Sequence, residues 1–431
     1  MEALIFIFFL ALFIYAVISI PFFKNSGLSR LQIASVFIIK ILAGIAYGWF
    51  YKLPKYYAGA DTWRFYRLSL EEKKWLLNDP AAFIKDLFVH GYNKTGNLFA
   101  GENSYWNDLK SNVPVKMMAC MNVVTNNSYY TNIILFNFLF LFGLVAVFKM
   151  FNHIYPEKKW LIFIGIFLLP STLFWCSGIH KDGLILSAIG LLTYNFYKLL
   201  QKEGKPLSRI IVIIVCIIFI FPLRNYVTLA LLPALLCWSI AYKFERSSLV
   251  IFTSIYAIGI VLFFASTHIH PSLNFPQFIV EKQSEFRRLE GSSEINLQPL
   301  KPTFISFVEY FPSAIDMALF RPHINEIKNF SYIPAICEII LLVFLLILFL
   351  FFRNRNRIDN KKSNFFCIFF GLSLLIIAGY TITFSGAIVR YRSLALPLII
   401  TPLLCNIDWQ KLLNRVMPIK GLRRNDDAQR T

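Results

Sequence analysis

Three ionisable side chains stand in a row at His180-Lys181-Asp182. They belong to the stretch Pro170-Ser-Thr-Leu-Phe-Trp-Cys-Ser-Gly-Ile-His-Lys-Asp-Gly183, with apolar runs at 161–169 and 184–192 on either side. A Lys or an Asp at the centre of a bilayer helix costs roughly 2.5–3.5 kcal/mol, so the stretch does not face lipid at the midplane. It reads as a polar turn between two spans, or as a break in a helix that lines a wet cavity walled by protein, where irregular backbone is tolerated. The second reading is preferred, because Trp175, Cys176 and Ser177 lead into the charges without loop filler. His180 can carry a proton near neutral pH, and Asp182 can act as a counter-ion to Lys181.

A second candidate is Asp61, in Gly59-Ala-Asp-Thr-Trp-Arg-Phe-Tyr66. A carboxylate just beyond a membrane helix can serve as general base on a sugar hydroxyl. The rings of Trp63 and Tyr66, with Trp175 and Tyr391 elsewhere, offer flat faces on which a sugar can stack. Asp61 also suits an N-cap. Backbone N–H groups would then hold its charge and lower its basicity, so the two roles compete. As a base it ranks ahead of Asp182 and His180. Four arginines, Arg224, Arg321, Arg390 and Arg392, form the third set. Their planar forks match phosphate oxygens, and together with Lys181 they make an anion site. A single arginine at a span end more often snorkels to lipid phosphates.

The elements that must position these residues are membrane helices. The chain has 431 residues, 57% of them hydrophobic and 16% charged. Apolar runs near twenty residues recur, as in an all-α polytopic integral membrane protein. They do not alternate as barrel strands do. About eleven transmembrane helices are expected, near 4–23, 31–50, 131–151, 160–178, 184–200, 209–223, 226–242, 248–267, 333–352, 364–384 and 393–406. One domain is read over 1–431, with long outer segments at 51–130 and 268–332 and a basic tail at 407–431. Within the outer segments, 62–77, 80–90, 276–290 and 304–320 are expected as helices, the first lying on the membrane surface. The link carrying Arg390 and Arg392 reads as helical or extended; only an extended link lets both grip one anion.

The net charge of +19 does not argue for nucleic acid. The basic residues gather in short loops that all fall on one side, the cytoplasmic one by the positive-inside rule, where they meet anionic lipid. That places the N-terminus outside, the C-terminus inside, and every candidate residue on the outer face. Seven cysteines show neither disulfide nor zinc spacing. The sequence calls for no cofactor and no metal, although Asp61 can share in binding one.

The stretch 170–182, Leu319-Phe-Arg-Pro322 and Ile388-Val-Arg-Tyr-Arg392 together resemble segments of bacterial polytopic proteins of surface-polysaccharide synthesis. Those are O-antigen-type oligosaccharide-unit polymerases and glycosyltransferases of the GT-C superfamily. The resemblance implies a glycan donor carried on a polyprenyl phosphate or pyrophosphate, a glycan acceptor, and work at the outer face of the inner membrane. By it, Asp61 matches the first-outer-loop carboxylate of GT-C enzymes, many of which carry an acidic pair there. Arg390 and Arg392 match the outer arginines that hold the lipid pyrophosphate in polymerases. A transporter or flippase of lipid-linked oligosaccharide, or a non-catalytic scaffold, is the alternative. Against transport stands the asymmetry: the unusual residues all fall outside, whereas transport opens a pathway to both faces in turn.

Overall fold

The computed structural model describes residues 2–57, 59–88, 105–244, 247–269, 274–289, 293–353 and 361–416. Among them 84% are helical and none forms a strand. In chain order the helices are α1 (Glu2–Ser19), α2 (Pro21–Lys24), α3 (Arg30–Phe50), α4 (Pro54–Tyr57), α5 (Asp61–Asn78), α6 (Pro80–Lys85) and α7 (Tyr105–Val124). Next come α8 (Tyr129–Ile154), α9 (Lys159–Phe167), α10 (Pro170–Trp175), α11 (Lys181–Leu200), α12 (Pro206–Leu223), α13 (Asn225–Lys243) and α14 (Ser248–Ile269). Last are α15 (Phe275–Arg288), α16 (Phe304–Ile315), α17 (Ile333–Phe352), α18 (Lys361–Thr381), α19 (Ser385–Arg392), α20 (Leu396–Asn406) and α21 (Trp409–Val416).

Nine of these helices, among the described residues, are long and apolar enough to cross a membrane, and ten spans result if α19 and α20 count as one bent by 63°. The chain is therefore an all-α, multi-pass membrane protein. The difference from eleven lies at 160–178, which is not one helix. Leu169 is extended (φ −67°, ψ 120°), as a residue before proline prefers, and Pro170 opens α10 at the position where its missing N–H costs nothing. The expected run thus splits into α9 and α10, too short to pass as one span. Arg246, Arg355, Arg357 and the tail beyond Val416 lie outside the described residues, as does His90.

α8 is the central pillar: 72% of its apolar window is buried, against 6% for α1. α8 and α11 cross at Gly143 and Gly190. A Cβ on Gly143 would stand 2.2 Å from the Ser187 backbone, and one on Gly190 2.2 Å from the Gly143 carbonyl, so only hydrogen fits at this close approach. The two interrupted elements are tied to each other. Thr172 Oγ1 of α10 donates to the Ser393 carbonyl at 2.8 Å, in the turn between α19 and α20. Glu338 of α17, itself buried, accepts from the Ser171 N–H at 2.9 Å, satisfying one orphan donor of α10.

Beyond one end of the spans lie α4 to α7, α15 and α16. The outer helices expected at 62–77, 276–290 and 304–320 appear as α5, α15 and α16, the last continuing as a π-helical turn, Asp316–Phe320. Lys116 clamps the first group, reaching Glu72 at 2.8 Å and Asp86 at 3.1 Å from a buried position.

Candidate functional site

The site begins beneath itself, at Lys40. This lysine lies midway along α3 and is buried. Its ammonium donates to the Cys176 carbonyl at 3.0 Å and to Ser177 Oγ at 2.8 Å. It therefore caps the carboxyl end of α10, where carbonyls lack intrahelical partners. Asn137 of α8 donates to the Ser177 carbonyl at 2.8 Å. Gly178 then passes flat against the Tyr47 ring; a Cβ there would be 2.1 Å from a ring carbon. So fastened, the turn delivers His180 as N-cap of α11 in extended conformation, and Asp182 in its first turn.

Three charged side chains from separate elements meet on His180, and a fourth, Arg224, joins them through Asp182. Asp61 Oδ2 lies 3.1 Å from His180 Nε2, and Asp182 Oδ2 lies 2.9 Å from His180 Nδ1. Arg390, from α19, donates through Nε to Asp182 at 2.6 Å. One of its η nitrogens contacts the imidazole at Nε2 and at Nδ1, the latter at 3.1 Å, and lies 3.5 Å from Asp61 Oδ2. Arg224, between α12 and α13, holds the other Asp182 oxygen. The Phe65 ring stacks on the imidazole at 6.0 Å. Because a carboxylate faces each ring nitrogen, a neutral imidazole has an N–H for only one of them.

Asp61 is the first residue of α5 and not its cap. Ala60 holds the cap position, without a side-chain hydrogen bond. The carboxylate is thereby free to turn inward. Its side chain is 41% exposed, while those of His180 and Asp182 are fully buried. Burial alone would raise its pKa. The His180 hydrogen bond and the charges of His180, Arg390 and Lys181 outweigh that and hold the Asp61 carboxyl well below the usual carboxylate range.

Positive charge is in excess here. Lys181, Arg224 and Arg390 face two carboxylates. Lys181 has no hydrogen-bond or ion-pair partner among the described residues, yet it lies near Arg224, Arg390 and Lys110. Arg224 is buried with its Nε unpartnered among the described residues. Burial, with the charges of Lys282 and Arg224, pushes the Lys110 amine down. The guanidinium of Arg224 lies 4.0 Å from the centre of the Tyr391 ring, and Tyr391 in turn runs parallel to Tyr226 at 6.2 Å.

The remaining candidates lie elsewhere. Arg392 is buried and turns a single η nitrogen to the carbonyls of Ala318, Leu319 and Arg321, at 3.4, 3.4 and 3.1 Å. It ties α19 to the π-helical turn. Because α19 is helical, residues 390 and 392 point apart, and Arg390 alone joins the cluster. Arg321 pairs with Asp316 at 2.8 Å and with Glu326. Trp63 stacks on Tyr129 at 4.1 Å and donates to the Gly48 carbonyl at 3.1 Å. Tyr66 donates to the Asn127 carbonyl at 2.6 Å. Trp175 meets Tyr47 edge-on at 5.9 Å.

Sequence reasoning passed over Lys40, Phe65, Tyr226 and Tyr51, the last close enough to feel the charges of Arg390 and Asp61. Lys40 carried a usable signal: a lone charge inside an apolar span is a functional candidate by default. Tyr47 and Tyr51, four apart at the end of that span, carried another. No family model, curated protein or solved structure matches the chain.

Proposed function

We propose that the chain is a bacterial inner-membrane glycosyltransferase or oligosaccharide polymerase acting on sugars linked to polyprenyl phosphate or pyrophosphate, with its N-terminus and the His180 cluster on the outer face. The observation that carries this reading is the surplus of cations, Arg224, Arg390 and the unpaired Lys181, gathered around an accessible carboxylate at the ends of membrane helices. Such a set suits a lipid-borne phosphate beside a group that takes a proton.

The donor phosphate engages Arg390, Arg224 and Lys181. It competes with the Asp61 carboxylate for His180 Nε2 and the η nitrogen of Arg390, and displaces it. Freed from these partners, Asp61 regains basicity, since the interactions that depressed its pKa are gone. It then accepts the proton of the acceptor hydroxyl. The new bond joins that oxygen to the anomeric carbon. The bond between the anomeric carbon and the phosphate oxygen breaks, and its electron pair leaves with the phosphate. The arginines stabilise the growing negative charge, the largest contribution in this kind of chemistry.

The two interrupted elements, α9–α10 and α19–α20, favour a second reading. Discontinuous helices near the midplane are the building blocks of transporters, which would make the chain a flippase of lipid-linked oligosaccharide. Purified protein in liposomes separates the two. Transfer of glycan from a polyprenyl-pyrophosphate donor by the wild type, lost in Asp61→Asn, supports the transferase. Translocation of the labelled lipid without transfer, unchanged in Asp61→Asn, supports the flippase and removes the transferase.

A further inference from the structure

A cavity of about 270 Å³ opens at the other end of the bundle, lined by Tyr15, Ile18, Ser19, Lys24 and Arg30. α3 runs from Arg30 at this end to Phe50, beside the His180 cluster, so the two sites lie at opposite ends of the spans. Three elements contribute: the last turns of α1, the end of α2 and the first residue of α3. No carboxylate lines the cavity. Neither the Lys24 nor the Arg30 side chain has a hydrogen-bond or ion-pair partner among the described residues. Two cationic residues thus line one open cavity without an anion, together with Tyr15 and Ser19, and all four are exposed. The N-terminus of the 21-residue helix α3 adds its dipole.

We infer that this cavity is a phosphate site, filled by the headgroup of an anionic phospholipid. Ile18 forms its apolar side and continues into the exposed face of α1, where Leu12 and Tyr15 stand open; an acyl chain lies along that face. Two guanidinium and ammonium charges against one phosphodiester leave a positive surplus. A zwitterionic headgroup, which brings a further cation, is thereby disfavoured, and an anionic one is selected. The bound lipid adds to protein packing where it is thinnest: α1 is the least buried span, and a phosphate held by Arg30 and Lys24 joins the start of α3 to the end of α2 beside the last turn of α1.

The test uses the purified full chain in a neutral detergent. Thermal midpoints are measured with phosphatidylglycerol, phosphatidylcholine or inorganic phosphate added, for the wild type and for the Lys24→Gln/Arg30→Gln double variant. A ligand that binds only the folded state raises the midpoint by mass action. Phosphatidylglycerol is expected to raise the wild-type midpoint by about 2–4 °C and the double variant's by none. Native mass spectrometry of the wild type, expected to retain phosphatidylglycerol over phosphatidylcholine, serves if the double variant fails to fold. Equal shifts with phosphatidylcholine, equal retention of both lipids, or an undiminished phosphatidylglycerol shift in the double variant overturns the site. A shift from inorganic phosphate alone that matches the lipid's overturns the lipid as occupant.

Discussion

His180 Nε2 and Asp61 Oδ2 stand 3.1 Å apart although 119 residues separate them in the chain. The contact fastens α5, which lies beyond one end of the spans, to the start of a membrane helix, α11. It also sets a pH dependence. A carboxyl with a depressed folded-state pKa contributes stability that is present above the unfolded value, about 3.9, and is lost as pH falls through the folded value. Asp61 is such a group. The difference in thermal midpoint between wild type and Asp61→Asn is expected to stay constant from pH 8 to pH 5. It should close only in more acidic solution, below the ordinary carboxylate range. A difference that disappears between pH 7 and pH 5 rules out a depressed Asp61.

Competition between Asp61 and a phosphate for the same donors gives an opposite-sign pair of effects. Asp61→Ala is expected to lose glycan transfer while binding pyrophosphate more tightly than wild type, by about tenfold, which corresponds to 1.4 kcal/mol. Calorimetric titration of the purified protein reads this. Equal affinity leaves the anion site standing and removes the displacement step. Binding by neither protein removes the anion site itself.

Arg390 and Arg392 should separate cleanly. Arg390→Lys keeps charge and loses the fork, so product formation should fall by roughly one to two orders of magnitude, nearly as far as in Arg390→Ala. Arg392→Lys should instead act on stability. It weakens the hold on the buried Ala318 carbonyl, which costs about 1–3 kcal/mol if left unpaired, and lowers the thermal midpoint. Wild-type product from Arg390→Lys would take Arg390 out of the site.

Lys40→Ala uncaps α10 and frees the turn at Cys176. In a background without the exposed Cys120 and Cys337, a membrane-permeant maleimide should label Cys176 at least several-fold faster in the variant. Unchanged labelling would mean that the turn keeps its place without the lysine.

Reporter fusions test the proposed orientation. Fusions at Lys202 and Arg355 should read cytoplasmic, and those at Glu102 and Ser292 extracytoplasmic. A cytoplasmic signal at Glu102 would put the His180 cluster on the wrong face for a lipid-linked glycan donor.

The helices were largely legible because each membrane span needs its own long apolar run, and hydropathy reads such runs directly. Even the short run at 209–223 forms a helix, α12. The interruption at Leu169-Pro170 was written in the chain too, but the apolar residues on both sides disguised it as one span. Side-chain partners were another matter. Arg390 and Arg392 are identical in type and two apart; which one reaches His180 depends on the phase of an eight-residue helix against its surroundings, and no local pattern encodes that. Trp63 and Tyr66 carry the right rings for a sugar, yet Tyr129 and Asn127 take them first. Lys40 was hidden by dilution, since one charge barely moves the average of a 21-residue span.

That lysine has a consequence for the medium in which the protein works. Interrupted membrane helices expose carbonyl oxygens that many proteins satisfy with sodium or potassium drawn from solution. Here the cation is covalently part of α3 and reaches the Cys176 carbonyl on its own stem. A tethered ammonium cannot be diluted away or exchanged. The turn that carries His180 and Asp182 should therefore keep its shape when sodium and potassium are replaced by a bulky organic cation, and the architecture of the break should be indifferent to the salt on either side of the membrane.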